Sequence, residues 1–215
     1  KFLMEHNVKT GTYTLMMLCG AELGRDEAIK KYDMKSKYRI LPKQFGDYRG
    51  EKIFEIEQIC VGTNTLSFES YLKCRNYNFV LQLLAHPIFR PVYKLIRKIG
   101  VSWYDFSKLM ADSIQDENFK GKLKDLYNEF CKESHDELFE TKEEAIEYYS
   151  KKENYEALLK GDMGENLLAK YTSKGVLIYD DIITSIFYII KNKLSMNRDT
   201  KLNSILNSSE KWLKN

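Results

Sequence analysis

A chain of 215 residues, 43% hydrophobic and 30% charged, has the balance of a folded protein with one core or two small ones and excludes a disordered tail. Its 34 basic and 31 acidic side chains leave a net charge of only +3, so a hold on nucleic acid would need a local basic stripe. The best candidate, Tyr93-Lys94-Leu95-Ile96-Arg97-Lys98, has the pattern of the solvated edge of an amphipathic helix, and no nucleic-acid partner is expected.

The most apolar stretch, Ile182 to Ile190, covers half a bilayer and is interrupted by Thr184 and Ser185, so no membrane span is expected. Lys1-Phe2-Leu3-Met4-Glu5-His6 has no initiator methionine and none of the succession of a signal peptide, and the chain is expected to start inside a longer protein. Four cysteines without an extracellular cue predict free thiols in a reducing compartment, with the cytoplasm as the default location.

Strand signals come first. Thr10 to Leu18 is rich in β-branched, aromatic and apolar residues and stops at Cys19-Gly20, the pattern of a buried strand. A short charged helix over Asp26 to Tyr32 follows, then a strand at Lys37 to Leu41 that Pro42 closes, because proline cannot donate to a ladder. Ile53 to Val61 alternates Phe54 and Ile56 against Glu55 and Glu57 before becoming continuously apolar, which implies one wet face.

After Ser67 the period turns helical. Phe68 to Ala85 reads as a central helix ended by Pro87, and Ile88, Val92, Leu95, Ile96 and Ile99 mark the buried stripe of the next, which Gly100 stops. Ser102-Trp103-Tyr104-Asp105 and Thr141-Lys142-Glu143-Glu144 both fit the capping box that opens a helix. Between them Phe119, Leu123, Leu126, Tyr127 and Phe130 form one apolar face, and Tyr148, Tyr155, Leu158 and Leu159 continue the theme. Six or seven helices are expected in this array. Gly161 to Asn166 reads as a turn, Ile182 to Ile190 as a core helix, and Thr200 to Asn215 as a segment with a weak stripe of Leu202, Ile205, Leu206, Trp212 and Leu213 that docks or frays.

Chemistry is sparse. Cys19, Cys60, Cys74 and Cys131 form neither a CxxC pair nor a CxxxCxxC run, so no local metal site is encoded and buried free thiols are the plain reading. His6, His86 and His135 are isolated from one another; Cys131 and His135 share a helix face at i, i+4 but have no third ligand in view. Neither GxGxxG nor GxxxxGK[ST] occurs, and carboxylates such as Glu143, Glu144 and Glu147 have the spacing that solvates a helix. The 15 tyrosines, among them Tyr32, Tyr38, Tyr48, Tyr71 and Tyr77, suit a thin helical domain or an interface equally.

Two blocks carry a resemblance. Leu15-Met16-Met17-Leu18-Cys19-Gly20-Ala21-Glu22-Leu23 is similar to the strand and turn that end the partial barrel of cobalamin-binding radical S-adenosylmethionine (radical SAM) enzymes, with Cys19 and Ala21 where proline and threonine are usual. Lys31 to Pro42 and Glu55 to Arg75 resemble the region just after that barrel, and Gly161 to Tyr171 fits the family's helical tail, so that the likeness covers residues 1 to about 190.

The resemblance implies a mainly α fold: a short N-terminal β/α remnant of a partial barrel with post-barrel strands over residues 1–65, then a helical C-terminal domain over residues 66–215. It implies a metal-binding parent that uses an iron–sulfur cluster, S-adenosylmethionine and cobalamin, in which a reduced cluster cleaves S-adenosylmethionine to a radical that abstracts hydrogen from an unreactive carbon. The chain's partners would be the upstream barrel and cobalamin-binding domains of the same polypeptide and a small-molecule substrate. By this resemblance Gly20 and Glu22 are cofactor-side candidates and Arg39 and Asn64 substrate-side candidates; the plain readings are a turn glycine, an ion-paired arginine and a helix-capping asparagine. No cofactor is expected on the chain alone, and no nucleophile, base and orienter occur together to suggest a cofactor-independent enzyme. The alternative is an independent helical protein-interaction module without catalytic activity. If the fragment reading holds, the strand at Thr12 to Leu18 keeps an unpaired edge beside an exposed apolar patch.

Overall fold

A computed structural model describes residues 2–5, 12–194 and 200–214. His6, Thr10 and Gly11 lie outside the described residues, and of Leu202 only the helical backbone is described. The elements run α1 (Phe2–Glu5), α2 (Asp26–Tyr32), β1 (Lys35–Tyr48), β2 (Glu51–Gly62), α3 (Phe68–Ala85), α4 (Arg90–Lys98), α5 (Trp103–Gln115), α6 (Lys122–Asp136), α7 (Lys142–Ser150), α8 (Lys152–Lys160), α9 (Leu167–Leu177), α10 (Tyr179–Lys193) and α11 (Thr200–Leu213), with 3-10 turns at Glu22–Gly24 and Pro87–Phe89. The chain is thus mainly α with one short two-stranded antiparallel sheet near its N-terminus. Among the described residues nine helices follow Ser67, more than the expected six or seven, because the chain breaks at Lys151 and Ile178 within stretches whose apolar period continues across them. Two compact units divide it: a helical unit (Lys1–Gly11, Asn76–Phe130, Leu168–Asn215) and a hairpin unit (Thr12–Arg75, Cys131–Leu167).

In the hairpin unit β1 and β2 join through Arg49-Gly50, whose φ values of 58° and 89° are the double positive φ of the turn that matches strand twist, and the Asp47 carboxylate accepts the Gly50 amide at 2.8 Å. Pro42 does not close β1. The strand continues to Tyr48 because Pro42 falls within a bulge, where Leu41 to Gln44 lie opposite Glu55 alone and no ladder bond is asked of the missing N–H. Lys43 takes φ 62° there and donates its amide to the Gly164 carbonyl at 3.1 Å, so the Gly161 to Asn166 turn braces the bulge. Gly164 itself has φ 69°, and a Cβ on it would stand 2.4 Å from the Leu158 side chain.

One face of the hairpin, Ile40 and Phe54 with half-buried Phe45 and Ile56, packs on Ala145, Tyr149, Leu158 and Tyr155 from α7 and α8. On the other face Ile59 and Val61 pack with Tyr71 and Leu72 from α3 and with Leu138. Thr141 and Glu144 complete both halves of the capping box at the start of α7, and at Ser102 the hydroxyl accepts the Asp105 amide at 3.4 Å. The buried residues of α7 are Ala145 and Tyr149, whereas Tyr148 and, on α8, Leu159 are exposed, contrary to the apolar face read from sequence.

The helical unit is built on Phe79, Phe89, Val92, Ile96, Phe106, Ile114, Leu123 and Phe130, and on Ile182, Ile183, Ile186, Phe187, Ile189 and Ile190 of α10, all essentially without exposure. Phe79 stacks on Phe130 at 4.4 Å, and Tyr171 meets both rings edge-on. A Cβ on Gly175 would stand 2.4 Å from Leu83, so the glycine lets α9 approach α3 closely. The core helix read at Ile182 to Ile190 is therefore present, and α11 docks through Leu206 and Leu213 while Ile205 and Trp212 face outward.

Lys191 on α10 and Lys214 donate to Glu210 of α11 at 2.8 and 3.0 Å. Burial works against the Glu210 charge, but these two ammonium groups outweigh it and hold the carboxyl below the usual glutamate value. A depressed folded-state value gives stability that is present above the unfolded-state pKa and is lost as pH falls through the folded one. Thermal unfolding followed by circular dichroism from neutral pH into the acid range should show a drop in Tm that Glu210→Gln reduces, with neutral-pH Tm itself lowered in the variant.

Candidate functional site

Residues 15–17 pair with β2 through one isolated bridge. Met16 bridges Ile59 in antiparallel sense, the Cys60 amide donates to Leu15 O and the Met17 amide to Gln58 O, each at 2.8 Å. The segment then turns: the Ala21 amide donates to Leu18 O at 3.1 Å, Gly24 to Ala21 O at 3.0 Å, and a Cβ on Gly24 would lie 2.3 Å from the Leu18 carbonyl oxygen. The buried strand expected over Thr10 to Leu18 is neither formed nor buried among the described residues: its pairing is the single Met16–Ile59 bridge. Tyr13 is 94% and Leu18 54% exposed, with Leu15 and Met16 above a third, because β2 covers one edge and the described residues leave the apolar side chains open to solvent.

Gly20 and Glu22 sit in this turn. Gly20 has φ +83° with open space around its missing Cβ, so backbone conformation rather than crowding selects glycine there. Glu22 opens the 3-10 turn and is exposed. Asn64 is exposed in the loop after β2 and donates its amide to Tyr32 O at 2.9 Å. It does not cap α3; the Ser67 hydroxyl does, accepting the Ser70 amide at 3.2 Å.

Arg39 is in quite different surroundings. Its side chain is only 15% exposed, and its guanidinium donates from Nε to Glu57 Oε1 at 2.5 Å and from Nη1 to Glu137 Oε1 at 3.0 Å. Arg75 Nη2 donates to the same Glu137 oxygen at 2.5 Å. Two guanidiniums and two carboxylates thus form a charge-balanced interior network that ties β1, β2, α3 and the residue after α6. Burial disfavours the Arg39 charge, but Glu137 and Glu57 outweigh it and raise its proton affinity. Burial pushes the Glu137 carboxyl up against the opposing pull of Arg75 and Arg39, and it also carries the Tyr149 phenol far above its ordinary value. The four candidate residues are therefore held by different partners: two in the turn after residues 12–18, one in the loop after β2, one in the ion network.

Glu57, Arg75 and Glu137 were not among the sequence candidates, and Glu57 was expected on the wet face. The signal was present only in part. Arg49-Gly50 marks a two-residue turn, but a ladder carried down from it without the bulge would set Arg39 against Cys60 instead of Glu57.

The cofactors implied by resemblance can be compared with the donors present. Cys60 is buried and its thiol donates to Gly62 O at 3.2 Å, Cys19 and Cys74 are exposed, and Cys131 is half-buried, so only one of the four thiols is the buried hydrophobe expected. Among the described residues no three His, Cys, Asp or Glu side chains assemble as a metal site, and this donor set does not fit an iron–sulfur cluster. His86 caps the Pro87 turn, its Nδ1 accepting the Ile88 amide at 3.3 Å, and His135 is exposed beside Asp136 at 3.2 Å. No helix among the described residues is long and apolar enough to cross a membrane.

Removing one member of the network leaves buried charge without compensation, which costs about 3–5 kcal/mol. Urea unfolding should therefore show Arg39→Met losing stability on that scale. Arg39→Met with Glu57→Leu should recover a large part of it, and Arg39→Lys should fall between, since one ammonium cannot fork to both carboxylates. If Arg39→Met unfolds at the wild-type urea midpoint, the network is not what holds the hairpin.

The chain matches no protein-family model and no curated protein, so its functional reading rests on its own residues and geometry.

Proposed function

We propose that this chain is the C-terminal portion of a radical SAM enzyme of the cobalamin-binding type and that it helps to close the cofactor and substrate cavity of that enzyme. Catalysis then depends on an upstream cluster-binding region, and the chain alone is inactive. The observation that carries the reading is the state of residues 12–18: one edge bonded to β2, and Tyr13, Leu15, Met16 and Leu18 exposed. A segment of that composition is suited to cover on both faces and both edges, as the last strand of a barrel has.

The turn bearing Gly20 and Glu22 follows the C-terminal end of this strand, the end at which barrel folds place their sites. Gly20 would let backbone approach a ligand closely and Glu22 would supply a polar contact. Asn64 stands as a substrate-side group. Arg39, committed to Glu57 and Glu137, acts in this reading by fixing the strands that carry the substrate side. The chemistry belongs to the parent's iron–sulfur cluster, S-adenosylmethionine and cobalamin; this chain supplies cover, position and exclusion of water. A cytoplasmic location is part of the proposal.

The decisive experiment is to read the open reading frame upstream of Lys1 and express its whole product. A CxxxCxxC triplet ahead of the chain, iron bound after anaerobic reconstitution and 5′-deoxyadenosine released from S-adenosylmethionine are the expected results, with none released by the 215-residue chain alone. Glu22→Gln in the whole product should weaken S-adenosylmethionine binding by roughly tenfold, the scale of one hydrogen bond to a charged group, with iron content unchanged. A frame without the cysteine triplet would leave an independent helical interaction module as the surviving description.

A further inference from the structure

We propose that the 215-residue chain self-associates through residues 14–18, which pair with the same segment of a second copy as an antiparallel strand pair centred on Met16. This goes beyond the reading above. It concerns the chain as it stands and rests on the open edge, not on the identity of whatever covers that edge in a longer polypeptide.

The hydrogen-bond phase selects the edge. Leu15 O and Met17 N are bonded to β2, so the N–H and C=O of Met16, between them, point away from it, as do those of Thr14. Neither Met16 nor Thr14 has a backbone partner among the described residues. The Leu18 carbonyl is taken by Ala21, so a new ladder ends at the Leu18 N–H.

The chemistry favours a second copy. Thr12 to Leu18 contains no charge and no proline, the two usual guards of a free strand edge. The opposite edge of the sheet is engaged elsewhere: β1 opens on the exposed Lys35, and Tyr38 exchanges bonds of 2.9 and 2.8 Å with Phe139. Placing a two-fold axis at Met16 makes Met16 its own hydrogen-bonded partner, sets Leu15 against Met17 and Thr14 against Leu18, and brings no like charges together. Apolar side chains then meet on both faces of a continuous sheet. The contact is isologous and consumes the edge, so it closes as a dimer and does not propagate.

The test is sedimentation velocity of the purified chain over a dilution series. Wild type should pass from dimer to monomer on dilution. Met16→Lys, which puts two like charges across the axis at an exposed position, should raise the dimer dissociation constant by at least about tenfold. Met16→Pro, which removes the outward donor while leaving Leu15 O and Met17 N on β2, should do the same, and Lys35→Glu on the other edge should not. Circular dichroism melts guard against misfolding, and hydrogen exchange should show the Met16 amide protected in the dimer alone. A wild-type chain that is monomeric throughout, or dimers indifferent to both Met16 variants, would overturn the proposal. Neither result touches the fragment reading, which the upstream cysteine triplet decides.

Discussion

The hairpin unit depends on the meeting of Arg39 with Glu57 and Glu137. A guanidinium between two carboxylates is favourable inside a protein only when geometry is good and the net charge closes, and Arg75 closes it by bonding the Glu137 oxygen that Arg39 also uses. The four groups come from positions 39, 57, 75 and 137, so the network records both the register of β1 on β2 and the placement of two helical segments against them. A slip of one residue in the ladder would carry Arg39 to the opposite face, among the hydrophobic Ile40 and Phe54 and away from its cross-strand partner Glu57.

What the sequence revealed follows from the range over which each signal acts. α2 and α3 stand at the residues read from periodicity and punctuation, Gly100 ends α4's run with φ +79°, and the isoleucines and Phe187 of α10 are buried, because helix formation is decided by neighbours three and four residues away. The misses share the opposite cause. Pro42 was read as a strand end because a local rule says that it cannot donate. The rule holds, but the Gly164 carbonyl, more than a hundred positions away, takes the Lys43 amide and makes a bulge stable at that point. Glu57 was read as solvated because its neighbours alternate, whereas its partner is set by a bulge that alternation does not encode. Tyr148 and Tyr149 are adjacent tyrosines that both meet Phe139, and it is Tyr149 that also packs on Phe54 and is buried.

The candidate residues divide along the same line. Gly20 was legible because a positive φ is a property of the chain itself, whereas the surroundings of Arg39 were not, since they are assembled from four separate stretches. Asn64 followed a sound capping rule one turn too early, and Ser67 satisfies that rule instead. Local conformation can nominate a turn; it cannot say whether a charged side chain will meet water or a partner.

The two edges of the small sheet sharpen the point. On β1, the bridge from Tyr38 to Phe139 and the bond from the Lys43 amide to Gly164 O occupy part of the outer edge. On the far side, residues 12–18 have the composition of an interior strand and the exposure of a surface one. Sequence and environment agree throughout most of the chain, and they disagree here over a continuous stretch that also ends in the turn carrying Gly20 and Glu22. Such a disagreement costs stability unless something covers the stretch, because apolar side chains in water give up the burial that the rest of the unit enjoys. The N–H and C=O of Met16 lie between the two groups bonded to β2 and point away from it, so the edge left open in this stretch has the hydrogen-bonding pattern that a strand can extend.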